Sequence, residues 1–485
     1  MHRRLLALGI LLVLTSALHA QKLRDAVTVE VVDVPVFVSH GDQPVEGLTR
    51  DDFELYVNGQ RQPIDYFDVV SPAAERTMRE RRLFLLVFDA AFSRPHALVR
   101  AQKAAARLIA AAPESDLFAI ATFTTGEGVQ FAVPFTADHE ALQRAVASLT
   151  VSKSGDPLAI VMTPTERESV AAMTNNIPTE AERLASDFLR ELAAVQIRRR
   201  AERQINVFEE LSRRLSSLEG QKHVVLMTEG FEGYSDTSEF ISRRTPPPAF
   251  PQTSLLSIAE PFLFTDLRAM YRAFQQSDVF LHTLDLEGLQ MQPVPQDAHH
   301  LLALGTGGEA ITNGNDVARS LARLSTHFAH GYRLGFHPQN VRAGHNSIAV
   351  KVRNGRGLTV RHRLGFAGTP QETHIGDGLY LADVVLNDVP QTGTAAALSL
   401  RDGVLHASVP LQPLAAQLGE SGDAQLLVYV FDANGKAIAY HEQTIAVPAN
   451  AEGQTTFDFP LPADAKVAKA LLRVDDSVGF TRIDS

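Results

Sequence analysis

The chain contains no cysteine and no tryptophan. The missing thiols exclude disulfides, cysteine catalysis, iron–sulfur clusters and cysteine-based zinc sites together. A surplus of positive charge is also lacking: 45 Lys and Arg stand against 56 Asp and Glu, for a formal net charge of −11. Nucleic acid is therefore not an expected partner. No Gly-x-Ser-x-Gly, Gly-x-Gly-x-x-Gly or phosphate-loop Gly-Lys-Ser/Thr sequence occurs, and there is no His-Glu-x-x-His zinc motif. After the first twenty residues no apolar run is long enough to anchor the chain in a bilayer.

What is present is an ordinary globular composition, 45% hydrophobic and 21% charged over 485 residues. That length suits about three domains. Arg3 and Arg4 precede an apolar stretch from Leu5 to Leu18, and Ala17, His19 and Ala20 stand just before Gln21. This is the layout of a signal peptide over residues 1–20, with cleavage after Ala20. The mature protein is then expected to be exported, periplasmic or secreted, with no transmembrane segment.

Residues 26–75 read as an N-terminal β unit. Valines alternate from Val27 to Val38, Phe53, Leu55 and Val57 alternate again, and Asn58–Gly59 suits a tight hairpin turn. From Arg82 the texture changes. Leu83 to Phe88 is an unbroken apolar run ending at Asp89, as expected of a strand buried on both faces of a parallel sheet. Ser93 and Pro95 suit the cap and first turn of a helix carrying Leu98, Ala101, Ala105, Leu108 and Ile109. Further strands end at Thr228-Glu229-Gly230 and at Asp285, and Val317, Leu321, Leu324 and Phe328 mark a late helix. This alternation predicts a doubly wound α/β domain over 80–330. A helical insertion at 151–220 contains a Thr179–Glu182 capping box and the run Arg198-Arg199-Arg200, which reads as a solvated helix face. The proline-rich 243–256 stretch reads as a loop. Residues 331–368 return to period two and are expected to pair with the N-terminal unit. Residues 374–485 read as a separate C-terminal β-sandwich-like domain.

With these elements the chain resembles the bacterial proteins with a von Willebrand factor A-related domain, best known from Acidobacteria. The resemblance rests on Gly47-Leu48-Thr49-Arg50-Asp51-Asp52-Phe53 with the Asn58-Gly59 hairpin, Val87-Phe88-Asp89, Leu226-Met227-Thr228-Glu229-Gly230, Val279 to Leu289 with Asp285, Thr306-Gly307-Gly308 and Tyr332-Arg333-Leu334-Gly335-Phe336. It covers residues 26–366. It implies a Rossmann-type α/β fold flanked by β-rich segments, and a protein that binds protein partners, often through Mg²⁺ or Mn²⁺ at the carboxyl ends of the strands. The family's metal motif is Asp-x-Ser-x-Ser, with a threonine from a later loop and an aspartate in a Thr-Asp-Gly-like turn. A hard cation of this kind takes a near-octahedral cage of oxygen ligands. Here the first motif reads Asp89-Ala90-Ala91-Phe92-Ser93, so Ala91 removes one hydroxyl, and Glu229 replaces the aspartate. Asp89, Ser93 and Glu229 are thus the candidate metal ligands of a degenerate site, with Thr150, Ser152 and Ser154 as stand-ins for the threonine.

Other groups have plainer readings. His327 and His330 read as solvent-exposed histidines at a helix end, and His299-His300 as a loop pair. Asp432-Ala433-Asn434-Gly435 reads as a β-turn rather than half a calcium loop. No catalytic constellation emerges. The expectation is a non-catalytic, exported protein-binding or adhesion protein. Two alternatives are a Mg²⁺-dependent binding module, and an exported metal-dependent hydrolase using the histidines near 299 and 330.

Overall fold

A computed structural model describes residues 31–70, 77–91, 93–124, 126–149, 202–229, 267–286, 297–312, 314, 316–339, 341–368 and 378–484. The signal segment, Thr179 with Glu182, the Arg198–Arg200 run, the 243–256 stretch and the three threonine stand-ins lie outside them.

The architecture is mixed α/β. Its central six-stranded sheet contains β6 (Arg82–Asp89), β7 (Asp116–Thr124), β8 (Gly128–Thr136), β9 (Gln221–Thr228), β10 (Val279–Asp285) and β11 (Ala310–Ile311), in the order β11-β10-β9-β6-β7-β8. All pairings are parallel except that of β8, which closes one edge antiparallel to β7. Every residue of β6, β9 and β10 is buried. The reason is a helix layer on each face. Phe84, Leu86 and Phe88 point toward α1 (Pro95–Ala111) and the late helix Val317–His327, meeting Leu98, Ala101, Leu321 and Leu324. Leu83, Leu85 and Val87 point the other way, against Phe208, Leu211, Met270 and Phe274 of the helical segments 202–216 and 267–276. Alternate residues of one strand thus serve two cores.

Before this unit come β1 (Val32–His40), β2 (Gln43–Pro44), β3 (Phe53–Val57), β4 (Gln60–Gln62) and β5 (Tyr66–Val70). After it come β12 (Gly331–Phe336), β13 (His345–Val352), β14 (Thr359–His362) and β15 (Gly365–Ala367). The two groups interleave. β12 lies between β1 and β5, pairing Val34 with Leu334 and Phe67 with Leu334's other side, and β13 pairs with β3. Val34, Val36, Leu55, Leu334, Phe336 and Ile348 share one core between the resulting sheets. Asn58 and Gly59, both at positive φ, turn β3 into β4.

In the C-terminal stretch, β16 (Ala397–Arg401), β17 (Val404–Pro410) and β20 (Gln454–Pro460) form one sheet. β18 (Gly422–Phe431), β19 (Ala437–Val447), β21 (Val467–Val474) and β22 (Ser477–Asp484) form another. Leu405, Val409, Leu426, Val428 and Leu472 fill a common core. Asp432 makes the expected turn, its side chain accepting from the N–H groups of Asn434 and Lys436 at 2.8 and 2.9 Å. Two helices here are absent from the sequence reading, Gly378–Asn387 and Leu411–Leu418. Gly378–Asn387 packs Val384 and Val385 against Leu427, Phe431 and Leu471 of the second sheet. It also ties that stretch to the α/β unit: Arg81, just before β6, forks onto Asp383 at 3.0 and 2.5 Å with both side chains buried. Asn387 Nδ2 donates to the Phe135 carbonyl at 2.9 Å.

The Thr306-Gly307-Gly308 turn shows why glycine is needed there. Gly307 has φ +85°, and a Cβ on Gly308 would lie 2.0 Å from the Leu281 carbonyl oxygen. The obstruction is backbone, so it cannot rotate away. Gly308→Ala is expected to cost about 1–3 kcal/mol or more, read as a lowered urea midpoint at unchanged slope.

Candidate functional site

Because β6, β9 and β10 are adjacent and parallel, their carboxyl ends bring Asp89, Thr228 and Asp285 to one rim of the sheet, with Asp285 in register with Thr228. Ligand sites of open α/β sheets form at this end. Asp89 is fully buried. One carboxylate oxygen accepts from the Ala91 N–H at 3.0 Å and the other from the Thr228 hydroxyl at 2.6 Å. The first bond closes the strand–helix turn, a task a carboxylate performs without metal.

Ser93 and Glu229 meet directly: the Glu229 N–H donates to Ser93 Oγ at 3.1 Å. This corrects the expected role of Ser93 as a helix cap. The capping position is taken by Arg94, which makes no side-chain cap bond, and Pro95 opens the helix. Arg94 instead turns to Glu229. Its backbone N–H donates to Oε2 at 2.6 Å, Nη2 to Oε1 at 2.7 Å, and Nε lies 3.0 Å from both oxygens. The carboxylate end of this pair is buried, while the arginine side chain is 54% exposed.

The three candidate ligands are therefore brought together, but not as a divalent-cation cage. Ala91 supplies no hydroxyl, both Glu229 oxygens are held by a guanidinium, and that guanidinium would repel a second cation. Among the described residues no three His, Asp or Glu side chains converge to hold a metal ion.

A second polar cluster lies deeper, where the α/β sheet meets β1 and β14. His223 on β9 and His282 on β10 are buried with their Nδ1 and Nε2 atoms 3.1 Å apart. The Glu309 N–H donates to His282 Nδ1 at 3.0 Å. A neutral His282 thus carries its proton on Nε2 and donates it to His223. His223 stacks on Phe84 and Phe280 with interplanar angles of 19° and 17°. Burial drives the His282 imidazole down to about 3 and holds His223 well below the usual histidine range. Both rings are accordingly neutral packing elements, too weakly basic to act as general bases near neutral pH.

The Glu309 side chain accepts from His327 at 2.9 Å and pairs with Arg361 of β14 at 3.4 Å. Burial alone would raise its carboxyl, but the His327 bond and Arg361 hold it below the ordinary value. His327 is thus buried, not exposed as its position at a helix end suggests. His299 and His300 are likewise not a loop pair: they lie on the helix Asp297–Leu304, His299 buried and His300 exposed.

Sequence reasoning misses Arg94, Thr228 as a partner of Asp89, and the His223–His282 pair. A histidine adjoining a buried apolar run, Val224–Met227 or Val279–Leu281, is the one available signal for the pair.

No protein-family model matches the chain, and no characterised protein does. Among solved structures it is similar to an aerotolerance-related membrane protein from Bacteroides fragilis, at 10% identity and a TM-score of 0.27, over 51% of this chain and 98% of that one. BatB from Bacteroides thetaiotaomicron gives 11% and 0.26 over the same shares. The pilus adhesin SpaC from Lactobacillus rhamnosus GG gives 9% and 0.27, over 92% of this chain and 61% of that one. These likenesses are too distant to assign a role.

Proposed function

We propose that this chain is an exported, non-catalytic protein-binding protein. In this reading its α/β unit is of the von Willebrand A type, and it engages a partner at the carboxyl rim of the sheet without a metal ion. The observation that carries the reading is the Arg94–Glu229 fork at the rim that also holds Asp89, Ser93 and Thr228: a guanidinium that occupies both oxygens of the carboxylate standing where the resemblance puts a metal ligand. A rim of this kind offers a fixed, half-exposed guanidinium to a partner's acidic or carbonyl groups.

Two measurements test it. The purified mature chain, used as bait on envelope and secreted fractions, is expected to retain a partner equally with Mg²⁺ or with EDTA, and to lose it on Arg94→Ala. A demonstrably folded chain that retains nothing, or retention indifferent to Arg94→Ala, overturns the reading. Calorimetric titration with millimolar Mg²⁺ or Mn²⁺ is expected to give no heat and no melting shift. A clear shift would favour the metal-dependent alternative instead.

A further inference from the structure

Away from the sheet rim, the β unit carries a cavity of about 320 Å³. Arg50, from the short turn before β3, Arg61 on β4 and Arg353 just after β13 all line it, with Asp51, Glu54 and the apolar Pro63 and Ile64 beside them. Arg353 is remote in sequence from Arg50 and Arg61. They are gathered because β3 pairs with β4, placing Tyr56 opposite Arg61, and with β13, placing Phe53 opposite Val352.

Glu54 stands between two of the guanidinium groups and holds neither closely. Its Oε1 lies 3.7 Å from Arg61 Nη2 and 3.4 Å from Arg353 Nε, whereas Oε2 accepts from the Tyr56 hydroxyl at 2.9 Å. Charge-assisted N–H···O bonds settle at about 2.7–2.9 Å, so both forks keep donor capacity for a better-placed anion. The two arginine side chains are 57% and 48% exposed and thus reachable. On a chain whose net charge is −11, the three arginines of this lining outnumber its two acids, Asp51 and Glu54, and leave it locally positive. Beside them β4 is the outermost strand of its sheet among the described residues. An open strand edge next to a positive cavity fits an extended chain better than a compact ligand.

We propose that this cavity binds an extended acidic peptide segment of a partner protein, one carboxylate bridging Arg61 and Arg353 and a neighbouring one meeting Arg50. Glu54 is then an internal competitor that occupies the arginines until the peptide displaces it. The site is separate from the rim and does not depend on the reading given for it.

Binding of a fluorescent, terminally blocked hexaglutamate to the full chain, followed by anisotropy, tests the proposal, with blocked hexalysine and inorganic phosphate as comparisons. Saturable binding of hexaglutamate is expected, weakening with salt. The combined change Arg61→Ser, Arg353→Ser should lower affinity at least about tenfold, through loss of two charge-assisted contacts, at unchanged circular dichroism. Glu54→Gln should instead tighten binding several-fold. Arg144→Ser, at an exposed arginine of the helix His139–Ser148, should leave it unchanged, and because the double variant keeps Arg94, loss of binding in it belongs to this site and not to the rim. The proposal is overturned by absence of saturable binding to the folded chain, by equal binding to the double variant, or by phosphate matching the peptide. If the double variant does not fold, Glu54→Gln decides, and unchanged or weaker binding to it counts against the proposal.

Discussion

Acidification from pH 7.5 to pH 5 is expected to destabilise this protein far more than its surface charge would suggest. Three histidines are responsible. His223 and His282 are buried in the aromatic layer between β9, β10 and β1, and His299 is buried on its helix. Burial lowers all three, His299 to about 4 and His282 to about 3. In the unfolded chain each takes up a proton near pH 6.5, while in the folded protein each stays neutral. The unfolded state therefore binds more protons once pH falls below 6.5. Stability is complete above that value and declines through the window down to about 4 for His299 and about 3 for His282. Each group contributes a slope of roughly 1 kcal/mol per pH unit. Glu309, held below the carboxylate range, adds a loss in the same direction further down. Urea unfolding at pH 7.5, 6.5, 5.5 and 5 reads the effect, and His282→Gln, which cannot titrate, should flatten the decline. A midpoint constant from pH 7.5 to 5 would refute the assignment.

Breaking the Arg81–Asp383 pair should cost nearly as much. The two side chains are 7% and 3% exposed, and the guanidinium also donates from Nε to the Glu219 carbonyl at 2.9 Å. Asp383→Ala leaves a buried cation without its counter-charge, a change expected to cost about 3–5 kcal/mol. Replacing both partners, by Arg81→Met with Asp383→Leu, should recover most of that, because a desolvated pair gains little over packed apolar groups. The single variant is also expected to show greater proteolysis near residues 378–387, since Asp383 lies on the helix that joins the C-terminal sheets to the α/β unit. If Asp383→Ala and the double variant melt alike, the pair has no such role.

The central strands were readable because burial on both faces leaves a plain record. Leu83 to Phe88 and Val224 to Met227 are apolar without alternation, as strands covered on both faces are. The helix Gly378–Asn387 was not readable for the complementary reason. Its apolar residues serve two neighbours at once, so the run Leu379 to Leu386 has too little polar face to separate helix from strand by period. At the rim, Asp89, Ser93 and Glu229 could be reached from strand ends and motif spacing. Arg94 could not. An arginine before a proline reads as an exposed first-turn residue, and its reach to Glu229 across 135 positions is created only when β6 and β9 lie side by side. The same holds for His327, whose burial comes from Glu309 on a different element.

The interleaving of β1, β3 and β5 with β12 and β13 also sets an order of events during synthesis. Val32 has its ladder partner at Phe336, so β1 and β5 are made long before the β12 strand that lies between them. Until then their hydrogen-bonding edges and the apolar side of Val34, Val36 and Leu55 are uncovered, the condition in which strands associate with the wrong neighbour. The α/β unit resolves this by its own geometry. Its chain enters after β5 and leaves into β12, which are antiparallel neighbours in one sheet. Gly331 pairs with Val70 across that seam, so with the insertion folded a closure that would otherwise span all of it becomes a short one. Lesions in the core of the inserted unit are therefore expected to appear as aggregation of the outer strands.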